Sequence, residues 1–234
     1  MLYSSGVTIG APLGVKFTNK EFIMEQIAVI VPKPLENLRL PDPELVQCYK
    51  DIEERIVYLE GYIGGENDPT DDNSIGIAKR IIQYNREDKL IAPEERKPIK
   101  IFIDSGGGDA YGTVTLVNTI VMSKTPVYTI NLRDALSAAG YVFMSGHRRF
   151  AFPGSTVLIH SGSVGYSGDK DKVDAMRKHY DKITKTLDDL IVRRTKIDAK
   201  TLRAKSSREW FMGVDDMIKH GVADQIVTSL EDIL

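Results

Sequence analysis

Ile99-Lys100-Ile101-Phe102-Ile103, running through Asp104 into Ser105-Gly106-Gly107-Gly108, is the stretch on which the fold is decided. Ile99, Ile101 and Ile103 alternate as the apolar side of a strand, and the strand delivers the chain into the glycines. Three successive glycines let the backbone take positive φ and let another atom approach closely, so that N–H donors are left aimed at one point. Such a nest holds a phosphate or a tetrahedral oxyanion. A phosphate loop is a poor match, because no Gly-Lys-Ser/Thr follows and Gly-Gly-Gly-Asp-Ala-Tyr-Gly is not a dinucleotide fingerprint. Taken alone, the segment is equally well a tight strand-to-helix turn.

Two residues downstream give it chemical company. Ser137 stands in Ala135-Leu136-Ser137-Ala138-Ala139-Gly140, where a helix is expected to open. A hydroxyl in the first turn of a helix lies near free N–H groups and the positive dipole end, which favour developing negative charge. The bland alternative is that Ser137 only caps that helix. His160 follows Thr156-Val157-Leu158-Ile159, a run that reads as a buried strand, and it is either a hydrogen-bonded core histidine or a general base. A glycine nest, a serine among small residues and a histidine at a strand end are the parts of an acyl-transfer site. His147, His179 and His220 sit in basic, helical and helix-terminal contexts, where surface roles are expected.

Around these residues strands and helices alternate. Ile56-Val57-Tyr58-Leu59 reads as a short strand, and Ile75, Ala78, Ile81 and Ile82 recur at helical spacing. Val114, Val117 and Val121 mark a second helix, residues 126–130 a further strand and residues 138–144 a helix opening at the serine. The alternation predicts an α/β domain with parallel strands and crossover helices. Acidic, proline-containing 85–98 is expected to be an exposed loop. Val173, Met176, Tyr180, Ile183, Leu187 and Leu190 form a heptad-like stripe on a long Lys- and Asp-rich helix, which either packs on the core or meets another copy of the chain. Four prolines, Pro32, Pro34, Pro41 and Pro43, break the chain into an N-terminal extension, 1–43, and a body, 44–234.

Composition narrows the function classes. With 234 residues of which 42% are apolar, one domain plus an appendage is expected. Lys and Arg total 31 against 33 for Asp and Glu, so the charge gives no reason to expect nucleic acid or an anionic membrane as a partner. The basic clusters His147-Arg148-Arg149 and Arg193-Arg194 are expected on solvated faces or subunit contacts. Cys48 is the single cysteine, which rules out an internal disulfide and fits a reducing cytoplasm. The most apolar run, 22–31, is interrupted by Glu25 and Gln26 and falls short of the roughly 20 residues a spanning helix needs. The start MLYSSGVTIGAPLGVKF lacks a basic region leading into an apolar core, so no signal peptide is expected. No His/Asp/Glu spacing suggests a metal site.

Several motifs, in order over about residues 46–230, resemble ClpP, the proteolytic subunit of the ATP-dependent Clp protease and a peptidase of family S14. Ile103-Asp104-Ser105-Gly106-Gly107-Gly108 is similar to its Asn-Ser-Pro-Gly-Gly segment, and Ala135-Leu136-Ser137-Ala138-Ala139 to its Ala-x-Ser-Met-Ala/Gly nucleophile segment. Phe152-Pro153-Gly154-Ser155 with Leu158-Ile159-His160 resembles Leu-Pro-Asn-Ser…Met-Ile-His. Arg208-Glu209-Trp210-Phe211-Met212 falls on Arg-Asp-x-Phe-Met/Leu, and His220-Gly221-Val222-Ala223-Asp224 on Tyr-Gly-Leu/Ile-x-Asp. The resemblance implies a ClpP/crotonase-like fold of repeated β-β-α units with a projecting handle helix, the 173–190 stripe. It implies Ser137 as nucleophile, His160 as general base, and the amides of Gly108 and Ala138 as oxyanion hole. The third triad position, usually aspartate, falls on Glu209. No metal or organic cofactor is implied. The implied partners are further copies, in two stacked seven-membered rings (a tetradecamer), and an AAA+ unfoldase such as ClpX or ClpA/ClpC that supplies polypeptide substrates.

The sequence also departs from the family pattern. Arg133-Asp134 replaces Gly-Gln before the nucleophile segment, Ser161-Gly162 replaces Gln-Pro after the histidine, and the loop over 87–97 is long. Two alternatives therefore stay open: a catalytically impaired ring subunit, and an acyl-CoA enzyme of the crotonase type.

Overall fold

The computed structural model describes residues 43–65 and 73–234. The chain divides into two units, Met1–Val46 and Gln47–Leu234. Of the expected N-terminal extension only Pro43 is among the described residues.

Among the described residues, seven strands make one sheet: β1 (Ile56–Ile63), β2 (Ile99–Gly108), β3 (Val127–Leu136), β4 (Arg148–Ala151), β5 (Thr156–Ile159), β6 (Trp210–Met212) and β7 (Gln225–Ile226). The helices are α1 (Pro43–Glu54), α2 (Asn73–Glu87), α3 (Ala110–Met122), α4 (Ala138–Ser145), α5 (Lys170–Arg194), α6 (Ala199–Ser206) and α7 (Val214–Lys219). The order β1-β2-β3-β4-β7 is parallel throughout, with α2, α3 and α4 following successive strands, as the alternation predicts. The result is a mixed α/β fold built on a parallel sheet.

β3 is the hinge of this plan because it has two neighbours on one side. Its first half pairs Tyr128–Asn131 with Arg148–Ala151 of β4, and its last residues pair Asp134–Leu136 with Thr156–Leu158 of β5. The sheet therefore forks at β3. On the β5 branch, β6 runs antiparallel, with Val157 opposite Met212 and Ile159 opposite Trp210.

β2 is covered on both faces. Ile99, Ile101 and Ile103 are fully buried against Ile81 of α2, Leu116 and Ile120 of α3 and Phe143 of α4, in the main core. Its other side chains are buried too, since Phe102 packs with Ile56, Ile130, Phe150, Val227 and Ile233 in a second cluster. Lys100 shares that face, and its ammonium donates to the Leu234 carbonyl at 2.7 Å. Burial lowers the Lys100 pKa. Each fully buried Ile or Leu contributes on the order of 1.5–3 kcal/mol, so the sheet's interior sets the stability of the unit.

Two expectations are corrected. The 85–98 stretch is not simply an exposed loop: α2 continues to Glu87, and Asp88 is fully buried where Arg55 and Thr125 donate to its carboxylate. The basic clusters are not all solvated. Arg149 is buried, paired to Asp224 at 2.5 Å and donating to the Arg194 carbonyl, while Arg194 donates to the carbonyls of Met144 and Gly146. These guanidiniums satisfy carbonyls at helix ends, where no intrahelical donor is available. His147 is exposed as expected, yet its Nδ1 accepts the Val127 N–H at the start of β3.

Candidate active site

The glycines after Ile103 lie at the end of β2, not in a free turn. Tyr62 and Ile63 of β1 pair with Gly107 and Gly108 after a bulge beyond Glu60. Ser105 fastens that bulge: its buried hydroxyl donates to the Gly61 carbonyl at 2.5 Å and accepts the Gly107 N–H at 3.1 Å. The Gly107 amide is thereby occupied. Asp109 then donates its N–H to Ile63 O and caps α3 by accepting from Gly112 N.

Glycine is required here by crowding. At Gly107, with φ of 100°, a Cβ would come 2.6 Å from Leu136 O, 2.9 Å from the Ser137 Cβ and 3.0 Å from Ala138 N. A side chain there would cover the first amide of α4, which has no partner within its own helix. At Gly108, with φ of 156°, a Cβ would collide with the backbone of Ile63.

Ser137 sits at the junction of β3 and α4, in the N-cap position, but its side chain makes no capping bond. Its backbone is at φ 53°, ψ −121°, a region that glycine adopts freely and that is strained for serine. The turn is held from outside: Ser137 N donates to Leu158 O at 2.9 Å, and Gly140 N to Ser137 O at 3.0 Å. Gly140 permits the approach, because a Cβ there would meet the carbonyls of Ala135 and Leu158 at 3.2 Å. A strained strand-to-helix turn of this kind lifts a hydroxyl clear of its own helix. The Ser137 Oγ lies 2.6 Å from His160 Nε2.

His160 is the residue after β5, and β5 pairs with the strand that ends at Ser137, so the fork in the sheet brings the two side chains together. Ser161 fixes the next step, its N–H and its hydroxyl both donating to Ser206 O. Glu209 is placed differently. Continuing the β5–β6 register one residue past Ile159 and Trp210 sets Glu209 opposite His160. Its side chain is nevertheless exposed and joined to no partner, so the structure joins Ser137 to His160 at the start of α4, where Ala138 follows, and sets Gly108 at the end of β2 against Ile63, but leaves the Glu209 carboxylate in solvent. In front of the site, Arg133 bridges Asp104 at 3.2 Å and Asp134 at 3.3 Å. Among the described residues no group of three His, Cys, Asp or Glu side chains gathers as metal ligands.

A groove beside Gly108 leaves no mark in the sequence. It has a volume of about 490 Å³ and is walled by Tyr62, Tyr111, Tyr166, Tyr180, Met176 and His179, from β1, α3, the 161–168 segment and α5. No periodicity links residues drawn from four separate segments.

A serine hydroxyl held 2.6 Å from an imidazole at the start of a helix is an arrangement with which α/β proteins can carry out acyl transfer. The Clp protease family model matches residues 75–230. The chain belongs to the Clp protease family. It is 30% identical over 137 residues to an ATP-dependent Clp protease proteolytic subunit of Deinococcus radiodurans, covering 58% of this chain and 66% of that one. It is 32% identical over 139 residues to ATP-dependent Clp protease proteolytic subunit 2 of Treponema denticola, covering 58% of this chain and 70% of that one. No described helix is long and apolar enough to cross a membrane.

Proposed function

We propose that the chain is a serine endopeptidase subunit of a self-compartmentalised Clp-type protease, cleaving unfolded polypeptides to short peptides through an acyl-enzyme. The observation that carries this reading is the 2.6 Å contact between Ser137 Oγ and His160 Nε2, made by a serine that occupies a cap position without capping. As Oγ attacks a peptide carbonyl, His160 takes its proton, and the amides of Gly108 and Ala138 receive the oxyanion. His160 then gives that proton to the leaving amine. Water, deprotonated by the same imidazole, releases the acyl group and restores the hydroxyl. Glu209 acts by turning in from solvent to accept from Nδ1, which fixes the tautomer and stabilises the imidazolium.

The particle is two stacked seven-membered rings in the cytoplasm, with the exposed half of α5 at the contact between them and an AAA+ unfoldase feeding the chamber. Kinship with ATP-dependent Clp protease subunits supports both assembly and an ATPase partner. A fluorophosphonate probe tests the chemistry. It is expected to add one phosphonyl group to Ser137 of the assembled protein and none to the Ser137→Ala variant. Assembled protein that takes no adduct would overturn the reading in favour of a catalytically impaired ring subunit, the alternative that the solvent-facing Glu209 favours.

A further inference from the structure

The tyrosine-walled groove contains a polar group with nothing to bind. The Tyr166 side chain is half-buried, and its hydroxyl, covered in this conformation, has no hydrogen-bond partner among the described residues. An unpaired buried hydroxyl is a standing cost, and each one calls for an explanation. Its surroundings are aromatic: Tyr111 lies against the His179 ring at 5.9 Å between centroids, and Tyr180 closes the inner side. Gly162, at φ 71°, adjoins the Tyr180 hydroxyl, where a Cβ would make an ordinary contact at 3.5 Å. Burial raises the pKa of both Tyr166 and Tyr180, so each stays a neutral hydroxyl, able both to donate and to accept.

Position gives the groove its role. Gly108 is both part of its wall and a donor in the proposed oxyanion hole. A carbonyl held by Gly108 and attacked by Ser137 therefore has its own side chain within reach of the tyrosines. Aromatic walls favour an aromatic guest, through ring contacts that add to simple burial. The unpaired hydroxyl asks for a guest with a polar tip, and a phenol meets it in either sense of donation.

We propose that Tyr166 is a specificity-determining residue, whose hydroxyl makes this groove select tyrosine over phenylalanine and aliphatic side chains on the acyl side of the cleaved bond. The proposal rests on the serine-peptidase reading for its chemistry, but recognition is measurable without cleavage. Two peptides of one sequence, ending in Tyr or in Phe like the acyl-side product, are titrated against the assembled Ser137→Ala protein. The Tyr-ended peptide is expected to bind about five- to tenfold more tightly, the worth of one neutral hydrogen bond that also satisfies a buried group. In the Ser137→Ala/Tyr166→Phe protein the two affinities are expected to converge, with the Phe-ended peptide bound no more weakly than before. Equal binding of both peptides by the Ser137→Ala protein, binding of neither, or a preference that survives Tyr166→Phe would overturn the proposal. The two readings fail separately. Polypeptide cleavage with no Tyr preference sinks the selectivity alone, whereas selective binding by protein that takes no fluorophosphonate adduct sinks the peptidase alone.

Discussion

Glu209 is the residue whose part in the proposed mechanism is most open to test. Its backbone is registered opposite His160, yet its carboxylate lies in solvent, one methylene longer than the aspartate of the family pattern. If it engages when substrate binds, Glu209→Gln lowers kcat on the order of tenfold to a hundredfold with little change in KM, as a misoriented base does. Unchanged kcat in Glu209→Gln would remove Glu209 from the mechanism. At this scale Ser137, His160 and the glycines were legible because each stands at a boundary that hydrophobic patterning marks. That Ser137 would decline to cap its helix was not legible. It depends on a backbone angle imposed by Leu158 and Gly140, which no local pattern encodes.

Among the elements, the end of α2 shows what sequence patterning misses. A run of acids and prolines reads as solvent-exposed, but Asp88 is buried because Arg55 and Thr125 arrive from distant segments to meet it. Arg55 supplies two bonds, at 2.6 and 2.7 Å, and also donates to Lys97 O. Its hydrogen bonds hold the Asp88 pKa below the ordinary carboxylate value. The sign follows from linkage. A depressed folded-state pKa stabilises the fold above the unfolded-state value of about 4 and loses that contribution as pH falls through the folded value. Asp88→Asn is expected to destabilise by about 3–5 kcal/mol at neutral pH, because it strands a nearly buried guanidinium. Urea midpoints measured from pH 7 down to pH 3 check this: the gap between wild type and variant should narrow in acid, and a gap independent of pH would contradict the ion-pair account. The strands β2 and β5 were read correctly, because their apolar runs are dense. β6 and β7, at three residues or fewer, and β4, half of it arginine, carry too little pattern to be seen.

Across the whole molecule, α5 is the element least accounted for by the unit itself. Its 25 residues span about 37 Å, but the buried ones are Leu187, Leu190 and Ile191, all toward its C-terminal end. Val173, Met176, Tyr180 and Ile183, the first half of the apolar stripe, remain partly or well exposed, with Met176 and Tyr180 facing the groove. The stripe is thus core in one half and available surface in the other, which is why periodicity alone could not choose between the two. Ile183→Asp should leave the circular dichroism spectrum unchanged while sedimentation shifts toward half-particles or smaller; an unaltered particle mass would exclude this face from assembly. The dihedral angles at residue 137 reach the same scale by another path. With alanine or glycine there, the hydroxyl is gone in both cases, and only the conformational conflict differs. Glycine should then outlast alanine on heating, by about 2–4 °C for each kcal/mol of conflict released, the opposite of the order expected in a helix interior. On the serine-peptidase reading, durability and turnover are set against each other at a single α-carbon, and a search for heat-resistant variants of this chain would be drawn to the substitution that silences it.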